Sequence, residues 1–161
     1  MKPLEEYVLT IPDFPKPGIM FRDLTTVLGD ADGFNLAIDS LKGMLDGVDF
    51  DVIVGPESRG FILGAPLAYI FKKAFVPVRK KGKLPREVVR QEYALEYGKA
   101  EIEIHTDSIK PGQKVVIVDD LIATGGTTAA VIKLIEELAG LEGRKALSGY
   151  DVNAAIVYPG K

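Results

Sequence analysis

At 161 residues, with 47% apolar and 27% charged side chains, the chain has the size and balance of one soluble globular domain with a sizeable core. It has no cysteine and one histidine, His105, which excludes disulfides, thiolate catalysis, cysteine-ligated zinc and multi-histidine metal sites. A net charge of −3 leaves no electrostatic footprint for nucleic acid or an anionic membrane, so local basic clusters must carry any anion binding. No basic stretch followed by an apolar core opens the chain, and no apolar run reaches the roughly 18 residues that span a bilayer, which sets the expectation of a cytoplasmic protein.

Pro3, Pro12, Pro15 and Pro17, with Gly18, predict an extended, turn-rich arm before Ile19 to Asp23, because proline fixes φ and removes a backbone donor. From local sequence alone, Phe21 and Arg22 beside this turn read as packing plus a surface charge. From Gly33 to Gly47 the apolar residues Phe34, Ala37, Ile38, Leu41, Met44 and Leu45 fit an amphipathic helix that packs on the core and ends at Gly47.

Asp51 to Val54 is the first clear buried strand. It runs into Gly55-Pro56-Glu57-Ser58-Arg59-Gly60, and a helix follows from about Phe61 to Phe71. Free amides and the positive end of the macrodipole make such a strand-to-helix turn an anion site, against the plainer reading of a capped turn with a surface arginine. Phe75 to Val78 reads as the next strand. Arg79-Lys80-Lys81-Gly82-Lys83 then places four cations around one glycine, a pattern of solvated loops or nucleic-acid patches that here also suits a clamp on a polyanion. Leu84 to Lys99 shows no clean helical or strand period and is expected to be a mobile loop, the kind that closes over an active site to exclude water. His105 falls in AEIEIHTDS, an alternating strand-like segment, where it reads as an exposed or satisfied histidine.

The most informative stretch is Lys114 to Thr128, KVVIVDDLIATGGTT. Val115 to Val118 reads as a buried parallel strand with Asp119 and Asp120 at its carboxyl end, where ligands bind in open α/β sheets. Ala123, Thr124, Gly125, Gly126, Thr127 and Thr128 then lead into a helix from about Ala129 to Leu138. Glycines and threonine hydroxyls at a helix N-terminus suit a phosphate dianion. The adjacent carboxylates suit vicinal hydroxyls of a sugar and a cationic centre developing beside them. Phosphate next to a sugar diol describes a ribose phosphate; the alternative is a bare strand-to-helix turn. Walker A is excluded, since no Gly-Lys-Ser/Thr ends the turn.

VVIVDDLIATGGTT resembles the phosphoribosyl pyrophosphate motif of the type I phosphoribosyltransferases, and Leu-Ile-Ala-Thr-Gly-Gly-Thr is similar to the form found in members that act on adenine. The resemblance implies that family's α/β fold, a mainly parallel twisted sheet flanked by helices, in one domain over residues 1–161 with an N-terminal arm (1–30) and a mobile hood (about 79–100). It implies transfer of phosphoribosyl from its 1-diphosphate to adenine, giving AMP and pyrophosphate in purine salvage. Magnesium would travel with the pyrophosphate without a direct protein cage, and a homodimer is implied in which a loop arginine of one subunit reaches the other's site. Carried over by position, Ala123, Thr124, Gly125, Gly126 and Thr127 would bind the phosphoribosyl group, with Asp119 and Asp120 on the ribose. Ser58, Arg59, Gly60, Arg79, Lys80 and Lys83 would bind pyrophosphate, with a cis Glu57-Ser58 bond. Met20, Phe21, Arg22 and Ala123 would form the adenine pocket, Phe21 stacking on the base. GKLPREVVRQEYALEYGKAEIEI resembles the family's hood, in which Glu96 matches the acid that handles the purine proton and Tyr97 its neighbouring tyrosine; otherwise Glu96 is one of many solvated glutamates. The alternatives are a phosphoribosyltransferase for another purine, or a regulatory protein that binds the ligand without catalysis, although no nucleic-acid domain or basic face is visible.

The pattern breaks once. The family continues past this helix with a glycine turn and a further buried strand before a Leu-x-Gly-Arg segment, whereas Glu136-Glu137-Leu138 here runs almost at once into Ala139-Gly140-Leu141-Glu142-Gly143-Arg144. About one turn plus one strand is missing, either from the sequence as written or through a real deletion. Loss of a return strand exposes an apolar face and unpaired backbone, so the sheet is expected to be destabilised unless the strand-like Asp151 to Tyr158 substitutes.

Overall fold

A computed structural model describes residues 2–95, 98–121, 125–139 and 155. The chain divides into two compact units, one of residues Met1–Gly47 with Val152–Lys161 and a second of residues Val48–Asp151.

In the first unit a single 3-10 turn, Leu4–Tyr7, leads into an antiparallel pair, β1 (Leu9–Pro12) and β2 (Met20–Asp23), in which Thr10 faces Arg22 and Pro12 faces Met20. The proline-rich connection turns through a cis Phe14-Pro15 bond and through Gly18 at φ +87°, whose amide donates to the Asp13 carboxylate at 2.7 Å. A short α1 (Thr25–Leu28) and the long α2 (Ala31–Leu45) follow. Asp30 caps α2 by accepting the Gly33 amide at 2.9 Å, and Gly47, at φ +82°, lies just past its end. Tyr7, Val8, Val27 and Ala37 form this unit's small core.

The second unit is a three-layer α/β arrangement. Its sheet has the order β5-β6-β4-β3-β7, built from β3 (Val52–Pro56), β4 (Ala74–Lys80), β5 (Val88–Leu95), β6 (Gly98–His105) and β7 (Val115–Ile117). β3 pairs in parallel with both β4 and β7, so this interior strand is buried along its whole length and reads as a continuous apolar run. α3 (Arg59–Phe71) crosses between β3 and β4 and covers one face. α4 (Gly126–Ala139) covers the other, where Ala130, Val131, Leu134 and Ile135 meet Val52, Val54, Val76, Val78, Ile102 and Ile104.

The segment expected to be an unstructured mobile loop differs. Residues 88–95 form β5, paired antiparallel with β6 from Val88 opposite His105 to Leu95 opposite Gly98. A period of two is present after all: Val89 and Tyr93 pack on the core beneath α4, while Arg90 stands on the other face. Gln91 interrupts the apolar side, and only the pairing with β6 makes the alternation decisive.

Candidate active site

Two strand-to-helix turns meet at the carboxyl ends of the neighbouring parallel strands β3 and β7. The first turn, Glu57-Ser58, contains a cis peptide bond and opens α3 at Arg59. Ser58 occupies the cap position, yet its hydroxyl makes no capping hydrogen bond. Both Ser58 and Arg59 are exposed, and within this first turn of α3 the Phe61 amide donates to the Ser58 carbonyl at 3.2 Å.

The second turn begins where the Val118 amide donates to the Val54 carbonyl at 2.9 Å, fixing the end of β7 against β3. Asp119 and Asp120 follow at once. The Asp119 carboxylate accepts the Asp120 amide at 2.9 Å, and Asp120 is ion-paired with Arg59, with only 10% of its side chain exposed. Burial, with the neighbouring Asp120 carboxylate, pushes the Asp119 carboxyl up to about 7 although the Asp120 amide and Arg59 charge oppose the shift. Gly60 explains how closely the turns approach. A Cβ there would lie 2.9 Å from Pro56 Cδ, 3.0 Å from the Val118 carbonyl and 3.4 Å from Asp119 Oδ1. Gly125, at φ +76°, needs the left-handed region that glycine tolerates, and its carbonyl accepts the Ala129 amide at 2.8 Å as α4 begins. Gly126 and Thr127 are the first two residues of α4.

The basic segment ends β4. Arg79 Nε donates to Glu57 Oε2 at 2.5 Å and its guanidinium lies 5.8 Å from the Phe61 ring centre, so this arginine is joined to the first turn. Burial works against ionisation of Glu57, but the Arg79 bond and charge, with the Lys80 amide, hold its carboxyl below the ordinary value. Lys81 pairs with Glu101, Arg86 with Asp107 and Arg90 with Glu103. Among the described residues, Lys80 and Lys83 are exposed and in no ion pair.

This geometry has relatives. A model of the phosphoribosyl transferase domain matches residues 36–142. The chain belongs to the phosphoribosyltransferase family. The adenine phosphoribosyltransferase of Lachnoclostridium phytofermentans is 62% identical over 174 aligned positions that span 100% of both chains, and that of Agathobacter rectalis is 59% identical with the same coverage. Among solved structures, the adenine phosphoribosyltransferase of Thermoanaerobacter pseudethanolicus superposes with a TM-score of 0.82 at 52% identity, covering 92% of this chain and 95% of that one. The Saccharomyces cerevisiae enzyme, solved with an imino-altritol bisphosphate and adenine, gives 0.80 at 43% identity, covering 84% and 80%. The alignment to the Lachnoclostridium protein has 174 positions against 161 residues, so 174 less 161 leaves at least 13 positions unmatched in this phosphoribosyltransferase chain.

Of the residues that the family resemblance assigns, Ser58, Arg59, Gly60, Asp119 and Asp120 come together at one end of the sheet. Gly125, Gly126 and Thr127 stand at the start of α4, and Arg79 reaches the first turn through Glu57. Met20, Phe21 and Arg22 form β2 in the first unit, where Phe21 meets Phe14 edge-to-face at 5.1 Å and Arg22 donates to Thr10 Oγ1. Glu96, Tyr97, Ala123 and Thr124 lie outside the described residues; the break expected near Leu138–Ala139 falls at the end of α4, and the residues after Ala139 up to 154 lie outside the described ones. Sequence reasoning missed Glu57, the acid that holds Arg79, and Glu103, a fully buried carboxylate on β6. The alternation of AEIEIH sets Glu103 on the face opposite Ile102 and Ile104, and nothing local says that this face is covered.

Proposed function

We infer that this chain transfers the phosphoribosyl group of 5-phospho-α-D-ribose 1-diphosphate to adenine, releasing AMP and pyrophosphate. The observation that carries this reading is the ion pair between Arg59, the first residue of α3, and Asp120, which with Asp119 stands at the carboxyl end of β7 a few residues before α4 begins. That is one place for a sugar diol flanked by two anion sites. The full-length identity to proteins named adenine phosphoribosyltransferase supports adenine as the acceptor.

Breaking the anomeric C–O bond builds positive charge on the ribose and negative charge on the departing diphosphate, and the residues fit both. Asp119 and Asp120 would bind the ribose hydroxyls and favour the developing cation. The amides of Gly125 to Thr127 would hold the 5-phosphate. Ser58, Arg59, Gly60, Lys80 and Lys83 would bind the diphosphate, with Arg79 braced behind them on Glu57. By position, Met20, Phe21, Arg22 and Ala123 would hold adenine, Glu96 would take the proton its attacking nitrogen loses, and Tyr97 would lie in the hood.

No group of three or more histidine and carboxylate side chains suited to a cation occurs among the described residues, and magnesium would accompany the diphosphate, with Asp119 and Asp120 the carboxylates that would face it. Bound there, it supplies neutralisation of the leaving group's charge.

A homodimer is part of the reading. α3 presents Ile62, Tyr69 and Ile70 to solvent, Tyr69 with 86% of its surface exposed, an apolar stripe that suits a second copy of the same helix. Tyr69→Arg should shift the sedimenting species from dimer to monomer. No helix among the described residues is long and apolar enough to cross a membrane, and the proposed compartment is the cytoplasm.

The deciding experiment is adenine-dependent pyrophosphate release, run beside hypoxanthine, guanine and xanthine, together with the intact mass of the purified protein. Release with adenine alone supports the reading. Tight binding of phosphoribosyl diphosphate with no release would instead indicate a binding protein that has lost catalysis.

A further inference from the structure

The least expected group in the second unit is Glu103. Its side chain is fully buried on β6, between strands that carry Arg79 and Arg90 directly opposite it. Burying a carboxylate is costly unless several donors reach it, and a branched apolar residue would fill such a strand position without that cost. Here the donors are supplied by the basic loop. The backbone amides of Lys83 and Leu84 both donate to Glu103 Oε1 at 2.9 Å, and Arg90 Nε donates to Oε2 at 3.1 Å. Gly82, at φ +79°, lets the chain turn so that consecutive amides converge on one oxygen. These bonds outweigh the cost of burial and bring the carboxyl down to about 2, so it is ionised throughout the working range.

The consequence falls on the loop cations. Arg79, Lys81, Arg86 and Arg90 are each committed to an acid, and Arg90 is committed to Glu103 itself. Lys80 and Lys83, unpaired among the described residues, are left for an external polyanion, and Lys83 is the residue whose own backbone Glu103 grips. We propose that Glu103 is a positioning residue for diphosphate binding: an internal anion that locks the Gly82 to Leu84 backbone and so fixes the Lys83 ammonium where the leaving group docks. The proposal rests on the phosphoribosyl-transfer reading. The chemistry favours an internal carboxylate for this task, because it orders a glycine-containing loop before substrate arrives and lowers the ordering cost of binding.

The test compares Glu103→Gln, Lys83→Ala and the double variant with wild type. Glu103→Gln keeps the shape of the side chain but loses the charge that draws the two amides and Arg90 to it. It should raise KM for phosphoribosyl diphosphate about tenfold with a much smaller change in kcat and none in KM for adenine. The double variant should be no worse than Lys83→Ala alone, since one change acts through the other. A second arm removes a donor without touching the buried carboxylate. Leu84→Pro deletes one of the two amides from a surface loop, and by isothermal titration it should weaken magnesium-pyrophosphate binding while leaving AMP binding unchanged. An unchanged KM in Glu103→Gln, additive effects in the double variant, or equal losses of pyrophosphate and AMP affinity in Leu84→Pro would overturn the proposal and leave Glu103 as a structural anchor only. If wild type releases no pyrophosphate at all, the transfer reading itself has failed. The titration arm still reports on Glu103.

Discussion

Asp119 and Gly60 show how tightly individual residues are specified at the junction of β3 and β7. The folded state raises the Asp119 carboxyl to about 7 from an ordinary 3.8. A carboxyl raised in this way favours the fold fully below pH 3.8, and that contribution is lost as pH climbs through 7. Asp119→Asn should therefore lower turnover at least about a hundredfold while melting at a higher temperature than wild type, by a margin that widens from pH 5 to pH 8. Unchanged turnover would remove Asp119 from the ribose site, and a constant margin would contradict the raised carboxyl. Glu103 has the opposite sign. Its carboxyl is depressed from 4.5 to about 2, so it stabilises above 4.5 and that contribution is lost as pH falls toward 2; Glu103→Gln should flatten this part of the acid unfolding curve. At Gly60 a methyl group would press on Pro56 and the Val118 carbonyl, neither of which can swing aside. Gly60→Ala should cost about 1–3 kcal/mol in chemical denaturation and reduce turnover by displacing Asp119.

Between elements, the contact that sets the site is α3 on the sheet. Phe75 of β4 lies between two glycines: a Cβ on Gly64 would fall 2.6 Å from its ring, and one on Gly55 would fall 3.0 Å from it. Phe61 closes the arrangement edge-to-face at 5.7 Å. The start of α3 is thereby held down against β3, with Arg59 within reach of Asp120. Gly64→Ala should destabilise by about 2 kcal/mol, and much of that should be recovered in a Phe75→Leu background, where the ring no longer occupies the space. Additive losses would mean that the helix shifts bodily instead. The helices and the parallel strands at this contact were legible as apolar runs with glycine punctuation. The β5–β6 ribbon was not, because Gln91 breaks its apolar side and its order comes from cross-strand pairing that a local window cannot register.

Taken as a whole, the second unit ends its sheet on β7, a three-residue strand with β3 as its single partner among the described residues. The alignment to the Lachnoclostridium relative leaves at least 13 of 174 positions unmatched by these 161 residues, the length of a turn and a short strand. The family pattern breaks near Leu138–Ala139, and the loss is expected there. An edge strand as short as β7 beside Asp119 and Asp120 is a weak point, since its outer backbone groups have no partner strand among the described residues. Restoring the relative's segment at that position should raise the melting temperature by about 5 °C or more. A lower or equal value would show that the loss lies elsewhere or is compensated.

The sequence by itself determined the chemistry at the carboxyl end of β7: two acids, a glycine turn and a helix in fixed order are a local pattern, and local patterns survive without a fold around them. It also determined the second strand-to-helix turn, at Glu57 to Gly60, and the helices that begin at both turns. Only the tertiary structure decided which charges are free. Arg79 is braced by Glu57, Arg59 is held by Asp120, and Glu103 is buried under a loop twenty residues away in sequence. Each of these pairings joins residues that no periodicity connects, and whether a charge is solvated, paired or buried depends on what the fold brings across from the neighbouring strand.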